Sequence, residues 1–317
     1  MKRFLGILCC VFAFSGCDDG DLVVDTIDFT EVATSTCGEA NNLIFKLKDG
    51  ESLIINVPDG TFKMQPTVEP IKLPINPLNQ VVYNFYDGKV SSNNICALIP
   101  PATPNIKTQW NAASGVIEIT TETVKKFTEA DNSTRITGYK HNIIFTNITF
   151  TKGDGTTQFY EEFIFGDYLQ NVTTSLPFAF DEKLNICDDN GVVFEISASE
   201  TFTLNIDPEL ILNEDTPPGQ PRTGVIGVVN NKLTYCLFNS VVTDQTYFCQ
   251  STQPALPTVK EEWTGVPGGT IEVTTVTSGP NVFKHTIVLK SVSLASGLSN
   301  FQLGDNYLYG NLQTVKP

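Results

Sequence analysis

CALIPPATPNIKTQW, residues 96–110, returns later in the chain as CQSTQPALPTVKEEW, residues 249–263. Each stretch begins at a cysteine, contains prolines and ends at one of the chain's two tryptophans, fourteen residues after the cysteine. A cysteine, a proline-containing segment and a tryptophan at equal spacing indicate an internal repeat. The flanking sequence then decides how far the repeat extends.

The repeat extends through most of the chain. The flanking matches follow the same order in both halves: STCGEANNLIFKL from Ser35 with NICDDNGVVFEI from Asn185, IEITT at 117–121 with IEVTT at 271–275, YKHNIIFTNITF at 139–150 with FKHTIVLKSVSL at 283–294, and FIFGDYL at 163–169 with YLYGNLQ at 307–313. The main difference is the turn TETVKKFTEADNSTRITG at 121–138, which is about ten residues longer in the first copy. We therefore predict two domains that arose by internal duplication, residues 28–170 and 171–317.

The repeated blocks have the pattern of β-strands. LIFKL and SLIINV flank KDGE, which is a hairpin signal, and VVYNFYDGKV, GVIEITTE, HNIIFTNITF and QFYEEFIFGD are further strand candidates. Short strands separated by turns every eight to twelve residues or so are typical of a β-sandwich or small barrel. We predict an all-β fold of two tandem β-sandwiches with roughly seven strands each. The connector LQNVTTSLP is short, so we expect the two domains to pack together.

The N-terminus has the layout of an export signal. Residues 2–3 are basic, residues 4–14 (FLGILCCVFAF) are apolar, and the small residues 15–16 precede Cys17. An apolar run of this length suits a signal peptide and is too short to span a bilayer. The arrangement resembles the lipobox of bacterial lipoproteins, although Phe14 stands where that family more often has leucine. The resemblance implies that signal peptidase II removes residues 1–16 and that Cys17 carries the lipid.

Acidic residues follow the cysteine, in a segment (17–27) that we interpret as a tether. Asp18, Asp19 and Asp21 resemble the acidic tract of surface-exported lipoproteins of the Bacteroidota type. In enteric bacteria an aspartate directly after the lipidated cysteine instead resembles an inner-membrane retention signal. We expect an outer-membrane, surface-exposed protein, with a periplasmic orientation as the alternative. The Asp25-Thr26-Ile27 triplet resembles an O-glycosylation motif of the same bacteria.

The net charge of −15 argues against nucleic acid as a partner, because binding phosphates requires clustered lysine and arginine. After residue 16 we find no segment apolar enough for a transmembrane helix. The expected contact with the membrane is therefore the lipid on Cys17. A glycan or an outer-membrane protein is the other partner we consider.

Five cysteines remain beyond Cys17 in the predicted mature chain, and an exported protein meets an oxidising compartment. The duplication pairs equivalent positions, Cys37 with Cys96 and Cys187 with Cys249. Cys236 has no equivalent in the first copy, and a rival pairing of Cys236 with Cys249 across a hairpin stays open. Neither CxxC nor the Cys/His spacing of a zinc site occurs, so we expect no metal and no cofactor.

The sequence lacks a catalytic constellation. The two histidines, His141 and His285, occupy equivalent positions at the start of the same predicted strand, which favours a structural role over a metal site. Glu161 and Glu162 are adjacent on a strand, so they point to opposite faces and cannot flank one glycosidic bond. DDNG at 188–191 fits an Asx-rich turn better than a calcium loop. We therefore expect no enzymatic activity.

The two tryptophans, Trp110 and Trp263, are the candidate ligand residues. An exposed tryptophan on a β-sandwich stacks on sugar rings, whereas a tryptophan in the core or at a domain seam is structural. We expect a non-enzymatic surface protein that binds a glycan or another surface ligand. The alternative is a structural or assembly protein, either a fimbrillin-like subunit or a partner in a membrane complex, which would use an exposed sheet edge.

Overall fold

The computed structural model describes residues 26–38, 42–172, 176–187, 191–250 and 252–316. The predicted signal peptide, Cys17 and most of the tether lie outside the described residues. Asp188 and Asp189 of the candidate calcium turn also lie outside them. Among the described residues, no helix is long and apolar enough to cross a membrane.

An N-terminal sheet contains the first eight strands. They are β1 (Ser35–Thr36), β2 (Leu43–Lys48), β3 (Glu51–Asn56), β4 (Ile71–Pro74), β5 (Gln80–Tyr86), β6 (Ile106–Thr128), β7 (Ser133–Thr151) and β8 (Thr157–Asn171). The strand order is β1-β2-β3-β5-β6-β7-β8, and β4 pairs separately with β6. One short helix, α1 (Ser92–Cys96), lies between β5 and β6. All pairings are antiparallel.

A C-terminal sheet contains the remaining strands. They are β9 (Lys183–Ile186), β10 (Val192–Ser197), β11 (Glu200–Asn205), β12 (Arg222–Val225), β13 (Lys232–Phe238), β14 (Val259–Gly265), β15 (Thr270–Gly279), β16 (Val282–Lys290), β17 (Ser293–Ser296), β18 (Ser299–Gln302) and β19 (Asn306–Val315). Their order is β12-β15-β16-β19-β9-β10-β11-β13-β14-β17-β18. Two 3-10 turns, Pro208–Ile211 and Tyr247–Cys249, lie outside the strands. The structure therefore confirms the predicted all-β fold.

Each sheet curls so that its two halves enclose one core. In the N-terminal sheet, β6 and β7 slip in register between Ala112 and Val116, as at a β-bulge that bends a strand. Gly115 lies there with φ +125°, and a Cβ at this position would lie 2.7 Å from the Cα of Ile148. Because no other side chain fits, the glycine permits the bend.

Strand alternation fills the two cores. In β7, His141, Ile143 and Phe145 are buried while the residues between them are partly exposed, as the period of two requires. The first core combines residues of β2, β3 and β5 with residues of β6 to β8: Ile44, Leu53, Ile55, Val81, Ile117, Ile119, Ile143, Phe145, Phe163 and Phe165. The second core is built in the same way: Val193, Phe202, Leu204, Leu233, Tyr235, Ile271, Val273, Ile287, Leu289 and Tyr309.

Both predicted disulfides are present. Cys37 is bonded to Cys96, and Cys187 is bonded to Cys249. Cys236 keeps a buried free thiol, so the rival pairing of Cys236 with Cys249 is wrong. Burial raises the pKa of the Cys236 thiol to about 12, which makes it a poor nucleophile at neutral pH.

Candidate functional site: a cleft between the two sheets

The turn at 121–138 extends from the N-terminal sheet to the C-terminal sheet. We call residues 122–139, the adjoining ends of β6 and β7, the docking hairpin. Its Thr134 Oγ1 accepts a hydrogen bond from the Gln302 amide at 2.8 Å, and Arg135 donates to the Gln302 carbonyl at 3.1 Å. Asp305 donates its amide to the Asp131 carbonyl at 2.8 Å. The docking hairpin thus binds the C-terminal sheet.

Arg135 is the central side chain of this contact. Its guanidinium lies over the rings of Phe178 and Phe301, 5.1 and 5.3 Å from their centroids. Within the described part of the chain, its hydrogen bonds use Nη1 and reach the carbonyls of Thr134 and Gln302. Burial lowers the pKa of Arg135, but guanidinium stays protonated in proteins. A cation therefore lies among aromatic rings at the junction of the two units.

The segment between the two sheets is bound by a buried carboxylate. We call residues 176–182 the linker. Glu200, which is buried, accepts the amides of Phe178 at 2.7 Å and Ala179 at 3.3 Å, together with the Tyr235 hydroxyl at 2.9 Å. The Phe178 ring stacks on Tyr235 with centroids 4.5 Å apart. The linker is therefore packed against the C-terminal sheet.

A second buried carboxylate holds the next turn of the linker. Glu195 accepts the amides of Asp181 at 2.5 Å and Glu182 at 3.0 Å. Burial raises the pKa of Glu195 to about 7. Together, the two buried glutamates accept four backbone N–H groups of the linker, which supplies the carboxylates with the hydrogen bonds that burial requires.

A cleft of about 630 Å³ lies between the docking hairpin, the linker and the C-terminal sheet. Its apolar walls come from both units: Met64, Ile136, Val172, Leu176, Trp263 and Phe301. Polar groups at its surface include Arg135, Tyr139, Glu261 and Ser299. The Tyr139 hydroxyl and Ser299 Oγ are 3.0 Å apart across the junction.

The composition of this cleft suits an amphipathic small molecule. Its volume falls within the roughly 300–1,000 Å³ of typical ligand pockets, which combine apolar walls with a few placed polar groups. Arg135 offers a cation and Glu261 a carboxylate, and Glu261 accepts a hydrogen bond from Trp263 Nε1 at 3.4 Å.

Comparisons with protein-family models, curated proteins and solved structures find no match for this chain.

The interpretation of the tryptophans as exposed sugar platforms is wrong. Trp110 is 2% exposed and Trp263 is 7% exposed, because both lie on the inner face of their strands. Trp110 packs on Tyr83, with ring centroids 5.2 Å apart, and Trp263 packs on Phe301 at 5.1 Å. Only Trp263 contributes to the wall of the cleft.

The two histidines are buried and hydrogen-bonded. Thr121 Oγ1 lies 2.8 Å from His141 Nδ1, and Thr275 Oγ1 lies 2.8 Å from His285 Nδ1. The other nitrogen of His285 lies 2.8 Å from Thr314 Oγ1. No group of three or more histidine, cysteine, aspartate or glutamate side chains among the described residues has the geometry for a metal ion.

The pKa of His285 predicts an acid-sensitive stability. Burial, aided by the positive charge of Arg222, lowers the pKa of His285 from 6.5 to about 4. Between these values the unfolded chain binds a proton that the folded chain does not, so stability is lost as the pH falls. The full loss is about 3 kcal/mol. We expect the free energy of unfolding of His285→Gln, measured in urea, to fall less steeply between these pH values than that of the wild type. Equal pH dependence of the two free energies would contradict the prediction.

The remaining sequence candidates do not converge on the cleft. Glu161 and Glu162 are both exposed on β8, away from the residues that line the cleft. Sequence reasoning missed Arg135, Glu195 and Glu200. A signal for Arg135 was available, because it lies in the turn that distinguishes the two copies.

Proposed function

We propose that this chain is a lipid-anchored, non-enzymatic protein of the bacterial outer membrane that binds an amphipathic small ligand in the cleft between its two units. The lipid is carried by Cys17, and the acidic tether places the folded part on the cell surface. The observation that carries the ligand-binding role is the cleft itself. Its walls are apolar and aromatic, and one cation and one carboxylate lie at its surface.

The cleft also fits the proposed duplication. The two copies share internal contacts, since Tyr83 donates to Glu51 as Tyr235 donates to Glu200, each at 2.9 Å. The docking hairpin contains the main difference in length between the copies. We infer that duplication supplied two similar scaffolds and that the longer turn of the first one created the cleft.

The probe that tests this role is anilinonaphthalene sulfonate, which combines fused aromatic rings with an anionic group. We expect it to bind in the cleft, with its rings on the apolar wall and its sulfonate near Arg135. Met64→Asp places a carboxylate in that wall, where it repels the sulfonate and is costly to desolvate. We expect the dissociation constant, measured by fluorescence titration, to rise about tenfold or more, which equals about 1.4 kcal/mol.

Val68→Asp is the matched control. Val68 is 78% exposed and lies outside the residues that line the cleft, so its substitution should leave dye binding unchanged. Equal affinities for the wild type and Met64→Asp, with unchanged urea unfolding, would contradict cleft binding. An oligosaccharide that competes with the dye would identify a glycan as the ligand.

Surface display is tested by adding protease to intact cells. We expect the wild-type protein to be cut, because the tether holds it outside the outer membrane. Cys17→Ala removes the acceptor of the lipid and should abolish the cell-associated, protease-sensitive protein. Cleavage of the wild type only after the outer membrane is broken would instead support the periplasmic orientation.

A structural role is the second candidate, and the edge strand β8 favours it. Among the described residues, the stretch Thr157–Phe165 of this strand pairs with β7 alone. Phe159, Ile164 and Leu169 are each more than half exposed on it. Such an edge accepts an added strand. A purified protein that stays monomeric and copurifies with no partner would count against this role.

A further inference from the structure

The loop after α1 exposes two large apolar side chains. Leu98 is 100% exposed and Ile99 is 85% exposed. Burying one such side chain contributes roughly 1.5–3 kcal/mol. Two adjacent exposed side chains of this kind therefore favour a partner that removes them from water.

The loop has a firm base on both sides. The Cys37–Cys96 disulfide holds its start, and Asn94 Nδ2 donates to the Thr103 carbonyl across the loop at 3.4 Å. At its end, Asn105 donates its amide to Asp87 at 2.8 Å. Ordering the loop on a partner thus costs little further conformational entropy.

The charge pattern around the loop points to a lipid surface. Residues 90–106 contain no Asp, Glu, Lys or Arg, although the whole chain carries a net charge of −15. Exposed lysines, Lys89 and Lys107, flank this uncharged stretch, and the carboxylate of Asp87 lies near Lys107 at the base of the loop. An apolar tip with lysines at its margin is suited to insertion among lipids whose phosphates meet the ammonium groups.

The loop lies at the end of the molecule where the chain enters. Lys48 donates to the Asp28 carbonyl at 3.1 Å, and the neighbouring Asp49 accepts the amide of Val90 at 2.8 Å. The entering chain and the base of α1 therefore meet at the same β2–β3 turn. Ten residues lie between Cys17 and Asp28, so the two are at most roughly 40 Å apart along a fully extended chain.

The corresponding loop of the second unit lacks this pattern. Its sequence after Cys249 is QSTQPALP, in which Leu256, 72% exposed, is the one large apolar residue. The apolar pair thus belongs to the unit that follows the anchor. Leu256, seven residues after Cys249 as Thr103 is after Cys96, supplies an exposed leucine elsewhere in the corresponding loop for control experiments.

We propose that Leu98 and Ile99 insert into the surface of the membrane that holds the lipid on Cys17, with Lys89 and Lys107 at the level of the headgroup phosphates. The inference rests on the proposed lipid anchor. The lipid alone does not fix the orientation of the folded protein at the membrane. A second contact at the loop fixes which end of the N-terminal unit faces the bilayer.

The test uses an added tryptophan as a depth probe, because the native Trp110 and Trp263 are buried. The lipid-modified protein carrying Ile99→Trp is reconstituted into vesicles of phosphatidylethanolamine and phosphatidylglycerol, with or without bromine atoms on the acyl chains. We expect brominated lipid to quench most of the added emission. Leu256→Trp is the control, and its fluorescence should be quenched little. Leu98→Trp repeats the test at the adjacent position.

The outcomes separate the loop from the anchor. In one outcome the protein floats with the vesicles, but brominated lipid quenches the emission of Ile99→Trp no more than that of Leu256→Trp. This result would contradict insertion of the loop and would still support the lipid anchor. Wild-type protein that floats no better than Cys17→Ala overturns the lipid anchor, and the inserted loop with it. Selective quenching at positions 98 and 99 supports the inference.

Discussion

Glu200→Leu is expected to lower the free energy of unfolding by about 3–5 kcal/mol, because it leaves one buried hydroxyl and two part-buried amides without an acceptor. Three donors lose their partner: the amides of Phe178 and Ala179 and the hydroxyl of Tyr235. A buried unpaired donor costs about 1–3 kcal/mol, and the apolar leucine recovers part of this loss. Urea unfolding measures the change.

The first unit supplies the matched variant, Glu51→Leu. Glu51 accepts the equivalent hydrogen bond from Tyr83 at 2.9 Å but is only half-buried, and the linker amides bond to Glu200 instead. We expect a loss of about 1 kcal/mol, as for a typical hydrogen bond. Equal losses for the two variants would show that binding of the linker contributes nothing to stability.

Arg135→Ala is expected to detach the docking hairpin from the C-terminal sheet. The variant loses two charge-assisted bonds to backbone carbonyls and two contacts with aromatic faces. We estimate a loss of about 2–4 kcal/mol from these contacts together. Amide hydrogen exchange should rise in β18 and in residues 131–136, and the cleft should bind the dye more weakly.

Two further variants test whether the effect of Arg135→Ala comes from the stacked guanidinium. Lys125→Ala removes a hydrogen bond to Asn300 of 2.9 Å at an exposed position, so it should change stability by less than about 0.5 kcal/mol. Arg135→Lys keeps the charge but loses the planar stacking and should have an intermediate effect. Unchanged hydrogen exchange in Arg135→Ala would mean that other contacts hold the two units together.

The all-β fold and the disulfides were predictable because they depend on local or repeated signals. The alternation of apolar and polar residues in IEITT and HNIIF indicates which side chains lie on the same face of a strand. The matched spacing of cysteines in the two halves favoured the disulfide pairs that the structure contains. These signals need no knowledge of how the strands pack against each other.

The candidate site depends on long-range packing, which alternation does not report. Alternation did not reveal that Trp110 and Trp263 lie on the buried face, because an alternating strand has the same pattern whichever side is covered. The partner of Arg135 is Gln302, 167 residues further along the chain. Glu200 resembles a surface residue in sequence, and only the fold places the linker amides around it.

The docking hairpin also has a consequence for assembly during folding. Two similar sheets in one chain can exchange strands, either with each other or with another molecule, and such misassembly is a known hazard of tandem domains. The hairpin belongs to the first unit, and its receiving strand β18 belongs to the second. Because each unit carries only one half of this contact, the native order of the two units is favoured over their interchange.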